Sequence, residues 1–191
     1  MMTAEQILAS ANDEQQEAIK HQEGPCMIIA GPGAGKTKTV VSMSQMRIVN
    51  GINADELCLF TFTNKAAREI KERIRAAVGD LADKMTVGTY HSIAYRILRQ
   101  YATYIGFNKH FTILSQDDCT KKLKKIAKEV GVEYENLAQY ISQKKDKVIL
   151  PSQALLSAKG SEISFATGYQ KYQDDLKREM AMDFDDLIIT Q

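Results

Sequence analysis

The sequence predicts an α/β fold in which a parallel sheet is built from strands that alternate with helices. Three observations carry this expectation. Short apolar runs at residues 26–30 (CMIIA), 57–62 (LCLFTF) and 85–88 (MTVG) are each followed by a segment of helical periodicity. A glycine-rich turn, Gly31 to Gly35, joins the first run to its helix. Beyond about residue 110 strand-like runs become scarce and helical spacing dominates. Parallel strands need crossover connections, so the order implies helices on both faces of the sheet, with a mostly helical insertion added.

Each element has a local reason. Asn12 can cap a helix from Asp13 to about Lys20, and Gly24-Pro25 ends that region. The run at 26–30 reads as a buried strand, and a helix follows from Lys36 to about Val49. After the second strand, Ala66, Ala67, Ile70, Ile74, Ala77 and Val78 recur at helical spacing. The opposite face of that helix carries Lys65, Arg68, Lys71, Arg73 and Arg75. The third strand leads to a helix with Tyr90, Ile93, Ala94, Ile97, Leu98 and Tyr101 on one side. Leu123, Ile126, Ala127 and Val130 mark the later helical part. The expected organisation is a core over residues 1–110, a helical insertion over 111–180, and a return toward the core over 181–191.

Composition sets bounds. The chain has 191 residues, 44% hydrophobic and 26% charged, enough for a normal buried core. A net charge of +1 neither marks nor excludes a nucleic-acid partner, so any basic surface must be local. Residues 121–147 hold eight lysines against four acids, and residues 161–191 hold seven acids against three bases. Lys121, Lys122, Lys124, Lys125 and Lys128 form one basic helix face, read either as solvated or as touching a nucleic-acid strand. Three cysteines lack metal or redox spacing and fit a reducing compartment. Cys26 and Cys58 lie in apolar runs and are expected as core thiols. The N-terminus has no basic leader and no long apolar segment follows, so the expected address is the cytoplasm, with no membrane span.

Residues 30–37 satisfy [AG]-x-x-x-x-G-K-[ST] between a strand and a helix. Gly31, Gly33 and Gly35, with Pro32 and Ala34 between them, let successive backbone N–H groups face one anion. The helix start adds its positive dipole end. Lys36 is expected to reach the β- and γ-phosphates of a nucleoside triphosphate, Thr37 to hold Mg²⁺, and Lys38 to lie within the same site. Gln15 precedes the loop and offers an amide able to pair with adenine N6 and N7. Gln16 is equally suitable on spacing alone.

Several stretches together resemble the UvrD/Rep-type superfamily 1 DNA helicases. NDEQQEAI resembles the Q motif, which assigns Gln15 to adenine. AGPGAGKTKT resembles motif I, LCLFTFTNKAAREIKERI motif Ia, and VGTYHSIAYRILR motif Ib. MDFDDLI resembles a stretch that the family carries shortly before its Walker B strand. The blocks stand in family order between residues 12 and 188. The resemblance implies a RecA-like P-loop NTPase core, ATP and magnesium as cofactors, and single-stranded DNA or DNA junctions as partners. By the same resemblance Phe62 stacks on a base, Thr61, Thr63 and Asn64 donate hydrogen bonds to phosphate, and Thr89 and His91 touch the DNA. From the residues alone, Phe62 is equally a core residue, Thr63 or Asn64 a plain helix cap, and His91 structural.

Hydrolysis needs a second magnesium ligand and a residue to orient water. In the family these are an Asp-Glu pair after an apolar strand, and no such pair occurs here. Asp55-Glu56 precedes its apolar run, and Asp117-Asp118 follows polar residues. The resemblance therefore implies the N-terminal part of an ATP-dependent helicase that translocates 3′ to 5′ along single-stranded DNA in repair or replication, with the second motor domain outside this sequence. The 191 residues by themselves are expected to bind without turnover. The alternatives are a nucleotide-sensing DNA-binding module and a P-loop phosphotransferase.

Overall fold

The computed structural model describes residues 2–189. The chain divides after Ile93 into two compact units.

In the first unit, α1 (Ala4–Ala9) and α2 (Asp13–Lys20) both begin with reciprocal capping boxes, Thr3 with Gln6 and Asn12 with Gln15. They are followed by α3 (Lys36–Val49), β1 (Cys58–Thr61), α4 (Asn64–Val78) and β2 (Thr86–Thr89). The helix α5 (Tyr90–Tyr101) starts directly at the end of β2. Ile7, Ile19 and Met46 seal α1 and α2 onto α3. Ile70, Ile74, Ala77 and Val78 of α4 pack with Val41 and Ile48 of α3 and with Met85. The apolar stripe read along α4 is thus the buried one, and its basic face is left to solvent.

β1 and β2 pair in parallel, with Cys58 opposite Thr86 and Thr61 opposite Thr89. Both strands lie where the apolar runs place them. The run at 26–30 differs. It forms no strand, and Met27 and Ile29 are 83% and 87% exposed. A strand needs a neighbour for its N–H and C=O groups. Among the described residues β1 pairs only with β2, so nothing lies beside residues 26–30 to complete a ladder. The same shortage of cover corrects two further expectations. α4 packs on this two-stranded sheet from one side, and Cys58 and Phe60 on alternate positions of β1 are exposed. Cys26 and Cys58 are therefore surface thiols, while Cys119 is buried.

The second unit begins at Ala94, inside α5, rather than near residue 111, and it is mostly helical. After α5 come β3 (Thr112–Ile113), α6 (Gln116–Val130), α7 (Tyr134–Asp146), α8 (Pro151–Ser157), α9 (Glu162–Arg178), β4 (Ala181–Met182) and α10 (Asp186–Ile189). β3 and β4 pair in parallel, Thr112 opposite Ala181, which returns the chain to the segment after α5. Leu123, Ile126, Leu137, Ile141, Tyr169 and Tyr172 form the helical core. Part of the lysine surplus is neutralised internally, Lys122 by Glu179 and Lys144 by Glu162, while Lys171 of the acid-rich segment pairs back with Glu129. Among the described residues no helix is long and apolar enough to cross a membrane.

One lysine is enclosed. Lys145 is 1% exposed, and its Nζ donates to Asp183 Oδ2 at 2.6 Å and to Asp186 Oδ1 at 2.7 Å. Tyr172 donates to Asp183, Gln173 donates to Asp186, and each aspartate accepts the backbone N–H of the other. Burial opposes the Asp183 carboxylate, but the adjacent Lys145 ammonium outweighs it and lowers that pKa. At Asp186 burial prevails and raises it. Removing one partner of a buried charge cluster leaves the others unneutralised. Lys145→Met is expected to lower the unfolding free energy by about 3–5 kcal/mol in urea titration, far more than Lys121→Met, whose partner Asp118 is at the surface.

Candidate functional site

The first unit brings two groups of site residues to the ends of its elements. The first surrounds the start of α3. Gly35 is the residue before the helix, with φ 84° and ψ 19°, in the left-handed region that glycine tolerates best. A Cβ there would lie 2.8 Å from Gln15 Nε2, the movable end of a flexible side chain, so it is the positive φ rather than space that calls for glycine. No side chain caps the first turn of α3, whereas Thr63 caps α4. The uncapped N–H groups are the kind that bind an anion.

Lys36 Nζ donates to the carbonyls of Ala30 at 2.6 Å and Gly31 at 2.8 Å. The ammonium therefore lies folded against its own loop. Pro32, Gly33 and Ala34 are exposed at the turn, and Thr37 is exposed on the first turn of α3. Lys38 points elsewhere: its Nζ donates to the Ser10 carbonyl, which ties α3 to the end of α1.

The structure separates the two glutamines. Gln15 Nε2 donates to the Ala34 carbonyl at 3.1 Å, across 19 residues of sequence. Its Oε1 accepts the Asn12 N–H at 3.4 Å. Gln16 instead donates to Ala11 at 3.1 Å, away from the loop. Of the two glutamines, Gln15 is the one that touches the glycine-rich loop. Beside it lies a cavity of about 600 Å³, lined by Asn12, Gln15, His21, Ala30, Lys36 and Thr39 among others. His21 carried no role in the sequence. It enters the cavity wall because the turn at Gly24-Pro25 brings its ring to 3.2 Å from the Gly24 carbonyl.

The second group stands at the carboxyl ends of β1 and β2. Phe62 is 96% exposed, which removes the core alternative. Thr63 Oγ accepts the Ala66 N–H at 3.1 Å, so it is a helix cap. Asn64 opens α4 and is exposed. Thr61 differs from the expectation of a phosphate donor. It is buried, and its hydroxyl donates to the Thr63 carbonyl at 3.0 Å, which shapes the turn instead. Thr89 Oγ accepts the Ser92 N–H at 3.2 Å and so caps α5, with His91 half-buried beside it. Phe60 and Tyr90 stack with centroids 4.6 Å apart and 15° between their planes. That pair was not legible in the sequence, because it depends on the β1–β2 register.

Comparison with known proteins places this arrangement. A family model described as the UvrD/REP helicase N-terminal domain matches residues 11–191. The ATP-dependent DNA helicase UvrD1 of Mycobacterium tuberculosis (strain ATCC 25618 / H37Rv) is 36% identical over 196 residues, covering 97% of this chain and 25% of that protein. The ATP-dependent DNA helicase PcrA of Staphylococcus aureus (strain NCTC 8325 / PS 47) is 37% identical over 191 residues, covering 96% of this chain and 26% of that protein. The chain thus spans about a quarter of the length of these relatives. With a family match that runs through the phosphate loop, both strand ends and the whole helical unit, this chain belongs to the UvrD/REP helicase N-terminal domain family.

Proposed function

We propose that this chain is the ATP- and DNA-binding part of a RecA-like P-loop motor domain, from a protein that moves along single-stranded DNA at the expense of ATP. The observation that carries the reading is Phe62, 96% exposed at the end of β1 in the same unit as the phosphate loop. A large aromatic ring exposed at a strand end, flanked by helix N-termini, is suited to base stacking with phosphates on either side. The relatives, named as ATP-dependent DNA helicases, support the same reading.

The loop's residues fit a triphosphate tail. Gly35 holds the backbone open at the uncapped start of α3, and a Cβ at Gly31 or Gly33 would meet nothing within 4 Å. Lys36, now bonded to two loop carbonyls, would hold the β- and γ-phosphates of ATP, and the Thr37 hydroxyl would hold Mg²⁺. Bound magnesium would neutralise charge developing on the phosphates. Gln15 presents its amide to adenine while remaining next to Ala34. Thr63 and Asn64 donate to the DNA backbone near Phe62, and Thr89 and His91 serve the neighbouring nucleotide. The sequence holds no Asp-Glu pair after an apolar strand, so the 191 residues bind nucleotide with negligible turnover. Movement, 3′ to 5′ in this reading, uses a second motor domain supplied by the longer protein, acting in the cytoplasm on DNA under repair or replication.

Three variants test this. Lys36→Ala is expected to abolish binding of a fluorescent ATP analogue in an equilibrium titration. Phe62→Ala is expected to weaken binding of a labelled oligothymidylate by about 5- to 150-fold, the worth of one stacked base, with thermal stability held within about 0.5 kcal/mol because the ring is exposed. Unchanged affinity in Phe62→Ala would overturn the stacking assignment. Thr63→Ala is expected to do the reverse in stability, losing about 1 kcal/mol in urea titration through the lost cap.

A further inference from the structure

We propose that the hollow between α4 and the start of α5 seats one phosphodiester of the nucleic-acid backbone, gripped by Arg68 and Lys71. The inference rests on the DNA-binding reading above and extends it to residues that reading does not use.

The hollow measures about 410 Å³ and is lined by Asn64, Arg68, Lys71, Gly88 and Ser92 among others, with no acid in its wall. Arg68 and Lys71 are three residues apart on α4 and share one face. Among the described residues Arg68 has no hydrogen bond or ion pair, so its guanidinium is available. Lys71 is only lightly engaged, with its Nζ 3.4 Å from Asp83 Oδ1 and its side chain 38% exposed. Asp83 is shared with Arg75 and lies outside the hollow, in a smaller one that Arg68 and Lys71 also line.

The floor is kept low by sequence. Gly88 is buried in β2, and a Cβ there would stand 2.5 Å from Ser92 Oγ and 3.1 Å from Ile93 Cγ1. Ser92 is held in place through its hydroxyl, which donates to the Thr89 carbonyl at 2.9 Å. Any larger residue at 88 would push Ser92 into the space. Position decides the ligand. Asn64 follows Phe62 by two residues, and Arg68 lies about 6 Å further along the helix axis. A strand that stacks a base on Phe62 and runs along α4 would meet Asn64 first and the two cations next. An open, shallow seat with a guanidinium and an ammonium suits a phosphate carried past on a chain. It does not enclose a free anion.

The test uses the 191-residue chain and a fluorescein-labelled oligothymidylate, with anisotropy titrations over a range of salt concentrations. Each phosphate contact on a single strand contributes about 0.7 to the slope of log K against log salt. Arg68→Gln/Lys71→Gln is expected to reduce that slope by about 0.7 and to weaken mixed-sequence oligonucleotides equally, whereas Phe62→Ala lowers affinity at an unchanged slope. Asp83→Asn, which frees Lys71, is expected to tighten binding and so tests the seat even if the double variant fails to fold. An unchanged slope and affinity in the double variant, with Phe62→Ala still impaired, would overturn the phosphate seat alone. Inorganic phosphate displacing the oligonucleotide from the wild-type chain more than chloride does at equal ionic strength would make this a free-anion site and overturn the assignment. A wild-type chain that binds no oligonucleotide at low salt would overturn both this inference and the function on which it rests.

Discussion

The parallel pairing of β1 with β2, ending with Thr61 opposite Thr89, is the constraint on which the proposed DNA face depends. In a parallel ladder both strands finish at the same edge, so the helices that follow them start side by side. A one-residue slip would turn every side chain of one strand to the opposite face. With the observed register, Phe62 projects from one strand end, and Thr89 and His91 follow from the other. Gly88 stands opposite Phe60 in the same ladder. The buried Thr61 takes part by a different route than expected: it sets the turn that presents Phe62 rather than reaching outward itself.

The phosphate loop shows a second kind of dependence. Its lysine and its neighbouring glutamine are both satisfied within the protein, Lys36 by loop carbonyls and Gln15 by Ala34 and Asn12. In the proposed function, binding a nucleotide would exchange hydrogen bonds rather than create them from nothing, and the net gain would be correspondingly modest per bond. Because Gln15 belongs to the capping box of α2 and also touches the loop, the proposed contacts with a base and with a triphosphate tail would act on one short stretch of structure. That is the physical basis for reading the two as a single site.

The helical unit is organised around charge as well as apolar packing. Lys145 gathers Asp183 and Asp186 from the segment after β4, with Tyr172 and Gln173 of α9 completing the shell. A buried cluster of this kind adds little net stability over an apolar replacement, but it penalises any arrangement that separates its members. It thus specifies where the chain must lie after α9. The DFDD stretch, read in sequence only as a family block, is a packing device in the folded chain. Asp183 and Asp186 of that stretch are both committed to Lys145.

Local order was legible in the sequence, because it rests on short-range rules. The glycine-rich turn before Lys36, the amphipathic stripe of α4, the caps at Asn12 and Thr63, and the helical character beyond residue 110 all follow from spacing and backbone chemistry within a few residues. What the sequence left open turned on partners distant along the chain. Gln15 and Gln16 are equivalent until α2 packs on α3, and then only Gln15 reaches Ala34. Residues 26–30 have a strand's composition but no strand beside them, and Cys58 and Phe60 are apolar yet remain exposed, even with Tyr90 stacked on Phe60, because burial depends on a second surface and not on the residue itself. Lys145 looked like one more surface lysine until the fold enclosed it. Composition and periodicity determine which elements form and which residues can do chemistry. Only tertiary packing decides which of those residues meet, since meeting requires a neighbour that no local rule can supply.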